Sequence, residues 1–135
     1  MKNEWFEEIK EDIIVRLEEN KGREEYVCDM GYMLTEYENC NGSWYCSAPA
    51  ARDEIGEHLE EFGAIAEYMK YSLGIETNPL LESETFHCQA LITVYETTFA
   101  YAAGDIDYDG QTEITAEFIE AIREKLKTIN FEALF

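Results

Sequence analysis

Apolar residues between Ser47 and Leu73 return every three to four positions, and that period constrains the fold more than any other feature of the chain. Wound at about 100° per residue, Ile55, Leu59, Phe62, Ala66, Met69 and Leu73 share one stripe roughly 80° wide. Asp53, Glu57, Glu60 and Glu67 fall on the opposite side, with Glu54 and Glu61 flanking them. The spacing predicts one long helix, capped by Ser47 with Pro49 in its first turn and closed at Gly74. Its narrow apolar face belongs to a core, and its broad carboxylate face to water or to a partner.

The same period recurs elsewhere. Asn3 is placed to cap a first helix from Glu4 to about Glu19, with Phe6, Ile9, Ile13, Ile14 and Leu17 inside and Glu7, Glu8 and Glu11 outside. Asn20-Lys21-Gly22 ends it. A second helix is expected from Arg23 to Leu34, with Val27, Met30 and Leu34 on one face. Asn41-Gly42 is the strongest short turn signal, so a short hairpin is allowed around residues 38–47, with Trp44 over the core or presented to a partner. After the Asn78-Pro79 turn, Ser83 or Thr85 opens a helix to about Ala103 that is apolar on most faces. A polar loop from Gly104 to Glu113 leads to a last helix, capped by Thr115, whose Phe118, Ile119, Ile122, Leu126 and Ile129 face inward. The expected fold is all-α: one domain over residues 1–135, a compact bundle of about five helices.

Charge narrows the function. Thirty acidic residues against ten basic ones leave a net charge of -20, which excludes ordinary nucleic-acid binding and favours a basic protein partner. Between residues 53 and 122 sixteen carboxylates face a single base, Lys70. Apolar residues still make up 46% of the chain, enough to fold despite the self-repulsion. No apolar run is long enough to span a bilayer, and the first residues, MKNEWFEEIKEDIIV, lack the pattern of a signal peptide. A cytoplasmic protein is expected, with Cys28, Cys40, Cys46 and Cys88 as reduced thiols.

No arrangement points to catalysis. Asp105-Ile106-Asp107-Tyr108-Asp109-Gly110 opens like an EF-hand, but the twelfth position, which must supply a bidentate carboxylate, is Ala116. Cys40, Cys46, His87 and Cys88 lack the close pairs of a structural zinc site. His58 reads as a packed histidine at the edge of the apolar stripe. No enzyme activity, cofactor or metal is expected. The carboxylates from Asp53 to Glu67 span about 21 Å of helix and recur every 5–6 Å or so, a pitch comparable with that of phosphates along a DNA strand.

Asn41-Gly42-Ser43-Trp44, the acidic helix after it, Glu67-Tyr68-Met69-Lys70-Tyr71, Asn78-Pro79 and Phe86-His87-Cys88 together resemble a family of small acidic proteins. That family is carried by phages and mobile elements of gut Firmicutes. The resemblance covers roughly residues 5–100; the Asp105–Gly110 loop lies outside its pattern. It implies an anti-defence protein of the anti-CRISPR type, acting in the cytoplasm of a bacterial host and bringing no catalytic residues. The expectation is a DNA mimic that occupies a basic groove of a CRISPR effector nuclease such as Cas9. Asp53, Glu54, Glu57, Glu60, Glu61 and Glu67 would replace phosphates, with Trp44 as an additional contact. The alternative is a non-catalytic adaptor or weak calcium-binding helical module. The sequence leaves the oligomeric state open.

Overall fold

Helix α1 (Glu4–Glu19) shows how an acidic chain builds a core: it withdraws Trp5, Phe6, Ile9, Ile13, Ile14 and Leu17 from water and leaves Glu4, Glu7, Glu8, Glu11, Glu18 and Glu19 outside. In the computed structural model the described residues are 4–28, 30, 57–74, 84–104, 106 and 110–135. They form α1, strand β1 (Glu24–Tyr26), helices α2 (Leu59–Ser72) and α3 (Glu84–Ala102), strand β2 (Gln111–Glu113), and helices α4 (Ala116–Leu126) and α5 (Phe131–Leu134). The fold is all-α in character, with a very small sheet as its only β-structure among the described residues. No described helix is long and apolar enough to cross a membrane.

The chain divides into two compact units, one of residues 1–34 and 95–134, the other of residues 35–94 with Phe135. In the first unit the buried side chains of α1 are joined by Tyr95, Phe99 and Ala102 of α3 and by Phe118, Ile119, Ile122 and Leu126 of α4. Each large apolar side chain so buried stabilises the fold by roughly 1.5–3 kcal/mol. The rings of Phe6 and Phe131 meet edge to face, 5.7 Å between centroids. The Thr115 hydroxyl oxygen accepts from the Phe118 N–H at 3.0 Å, the cap expected for α4, and the Asn130 side chain does the same for α5 through the Ala133 N–H.

Residues 23–34 do not form one helix. Glu24–Tyr26 is a strand, paired antiparallel with Gln111–Glu113 inside the stretch expected to be a polar loop, and helical backbone begins only at Val27. The pairing joins segments far apart in sequence, and three-residue strands are too short to carry a periodic signal of their own. Gly22 sets it up. Its φ of +95° turns the chain out of α1, and its N–H donates to the Ile114 carbonyl, while the Ile114 N–H donates to that of Arg23. Val27 and Met30 are buried, as the spacing predicted.

In the second unit, α2 buries Phe62, Ile65 and Met69, and α3 contributes Ala90, Leu91 and Val94. The long helix expected from Ser47 is interrupted at His58, which takes φ -130° and ψ 45° as the N-cap of α2 with Glu57 helical before it. The stripe shifts accordingly. Ile65 replaces Ala66, which is half-buried, and Leu73 is exposed because it lies past the last turn, ahead of Gly74 at φ +71°. Asn3, Trp44, the 38–47 hairpin and residues 47–56 lie outside the described residues.

The sheet register places Glu24 directly opposite Glu113, and both are exposed. Like charges in that position are destabilising by up to about 1 kcal/mol. Glu113→Lys is therefore expected to stabilise the protein by about 0.5–1 kcal/mol in urea denaturation at low salt, with a smaller gain at high salt.

Candidate binding surface

Of the residues proposed to meet a partner, Glu57, Glu60 and Glu67 are exposed and Glu61 is half-buried; Asp53, Glu54 and Trp44 lie outside the described residues. Glu60 and Glu67 share the outer line of α2, about 10 Å apart along its axis, with Glu61 turned some 100° away. Gly63 stands between them, and Lys70, Tyr71 and Leu73 follow toward the C-terminal end. Tyr71 is 77% exposed, with the Lys70 ammonium 5.3 Å from its ring centre. The described part of α2 thus presents a sparse acidic edge that ends in a cation and an aromatic ring.

A denser row lies on α1. Glu4, Glu8, Glu11, Val15 and Glu18 fall within about 80° of one another and extend some 21 Å along the helix. All five are exposed. Sequence spacing identified the outward position of Glu8 and Glu11 but attached no function to it. Glu4, Glu18 and Val15 complete the row at the same helical period.

The two bases of α1 lie off this row. The Lys10 side chain is nearly buried, donates to the Ile129 carbonyl, and pairs with Glu7 at 2.9 Å. Its ammonium also lies 5.2 Å from the centre of the Phe6 ring. Arg16 donates from Nε to Asp12 Oδ2 at 2.9 Å, the same oxygen to which the Tyr95 hydroxyl donates at 2.5 Å, and its guanidinium lies over the Tyr95 ring. Both cations are turned to internal tasks.

Between α1 and α4 runs an open groove of about 680 Å³. Ile14 and Leu126 form its apolar floor, Glu7 and Glu11 one wall, and Arg123 and Lys127 the other, with Lys10 and Val15 completing it. On α4, Lys127 bonds Glu124 at 3.0 Å and Arg123 bonds Glu120 at 3.3 Å. The hydrogen bond and charge of Lys127 hold the Glu124 carboxyl below its usual range. Helical spacing alone has no means of setting Arg123 and Lys127 opposite Glu7 and Glu11.

Among the described residues no three His, Cys, Asp or Glu side chains group so as to hold a metal ion. Cys40, Cys46, Asp105, Asp107 and Asp109 lie outside them; Cys28 is exposed, and His58 is half-buried at the start of α2. No family model, curated protein or solved structure matches the chain.

Two expectations follow. Lys10→Ala removes the donor to Ile129 and the packed stem, and is expected to cost about 1–3 kcal/mol in urea denaturation. Glu96 on α3 is half-buried, and burial raises its carboxyl above the ordinary value. A carboxyl shifted upward favours the fold while protonated, and that contribution disappears as pH rises through the folded value. Glu96→Gln is expected to raise Tm relative to the parent near pH 7, with the advantage vanishing below about pH 4.

Proposed function

We propose that this protein is a non-catalytic inhibitor that offers an anionic helical surface to a basic, nucleic-acid-binding groove of another protein. The observation that carries this reading is the row of exposed carboxylates Glu8, Glu11 and Glu18 along α1, with Glu4 at its start, on a chain of net charge -20. Such a surface steers a basic partner over long range and competes with a polyanion for the same cations. In the other unit, Glu60 and Glu67 of α2 and Glu57 just before it are exposed as well.

The resemblance to small acidic proteins of phages and mobile elements directs the finer proposal. The target class is a bacterial defence nuclease of the CRISPR type, Cas9 being the example to test, and inhibition is competitive with DNA. A carboxylate row is a partial substitute for a phosphate backbone, so complementarity to the groove must come from the rigid spacing of the helix as much as from charge.

The test is a capture and DNA-binding assay against a panel of nucleic-acid-guided nucleases. Capture is expected to displace DNA and to weaken about tenfold or more as salt rises from about 50 to 500 mM. Glu8→Lys/Glu18→Lys and Glu57→Lys/Glu60→Lys/Glu67→Lys, each checked for retained helicity, should each weaken binding at least about tenfold if its row is used. Inhibition that survives both high salt and both sets of reversals would overturn mimicry.

A further inference from the structure

We infer that the groove between α1 and α4 is a self-association surface, occupied by the same groove of a second copy of this chain. The two walls carry opposite charge across an apolar floor, with Glu7 and Glu11 on α1, Arg123 and Lys127 at the C-terminal end of α4, and Ile14 and Leu126 between; Glu7, Arg123 and Lys127 each also pair with a neighbour in their own segment. A foreign partner of either sign would match one wall and oppose the other. A second copy related by a twofold axis running along the groove matches both, since that axis sets each acidic wall against the partner's basic wall. Val15, 51% exposed in the same groove, is the apolar projection such a pairing would cover. The patch therefore carries on one surface both halves of what an isologous interface requires.

The net charge of -20 opposes this association at long range, while the contact itself is local and partly apolar. Salt screens the distant repulsion first. Dimerisation should therefore strengthen as salt rises, the opposite of the dependence expected for capture of a basic partner, so the failure of either proposal is visible separately.

Sedimentation velocity on the full chain across a concentration series, at about 50 and 500 mM salt, tests it. A dimer favoured by salt is expected, with Val15→Glu reducing association at least about tenfold. Glu11→Lys and Arg123→Glu/Lys127→Glu should each weaken self-association, and an equimolar mixture of the two should restore it, because the mixed pair regains opposite charges at both contacts. Thermal denaturation of each variant shows whether the fold is retained. A chain that stays monomeric at both salt concentrations, or a dimer that Val15→Glu and both charge reversals leave intact, would overturn the proposal.

Discussion

The first unit depends on an ammonium that is almost out of water. Lys10 is held by the Ile129 carbonyl, the Glu7 carboxylate and the face of Phe6, and so ties α1 to the segment between α4 and α5. Leaving such a charge without partners would be costly, whereas satisfied it fixes how the two helices meet. Arg16 does a related job one and a half turns later, where Asp12 gathers both its Nε and the Tyr95 hydroxyl. These two contacts set the orientation of α1, and with it the direction in which every other α1 side chain points.

The electrostatic character of the surface follows from that orientation. A chain with three acids for every base stays folded by burying narrow apolar stripes and by using scarce cations where they hold elements together. On α1 this leaves the outer line to Glu4, Glu8, Glu11 and Glu18. On α4 the bases fall near the C-terminal end, where the helix dipole favours them, and there they face the Glu7 and Glu11 wall across the groove. The same protein thus presents a field that attracts basic surfaces and one local patch of mixed sign, and salt screens the long-range field more than the close contacts.

Much of the helical framework was legible from spacing. The limits of α1, the Thr115 cap of α4, the positive φ of Gly22 and Gly74, and the extent of α3 all follow from local rules acting within a few residues. The misreadings have separate causes. Glu24–Tyr26 became a strand because Gln111–Glu113 reached it from the far side of the sequence, and Leu73 was left in water because the helix stops one residue earlier. The candidate site was legible to the same degree: charge and period put Glu8 and Glu11 outside, but neither rule shows which distant side chains stand near them.

By itself the sequence determined that this would be a helical protein with an acidic exterior, because the 3.6-residue period and the net charge are properties of the chain alone. It also determined where most described helices begin and end, since caps and turns are made by near neighbours. Only the tertiary structure decided that Lys10 and Arg16 would be drawn inward, that Glu24 would face Glu113, and that Arg123 and Lys127 would stand across a groove from Glu7 and Glu11. The Lys10–Ile129 contact joins residues 119 positions apart, and only packing brings such groups within the few ångströms at which a hydrogen bond acts.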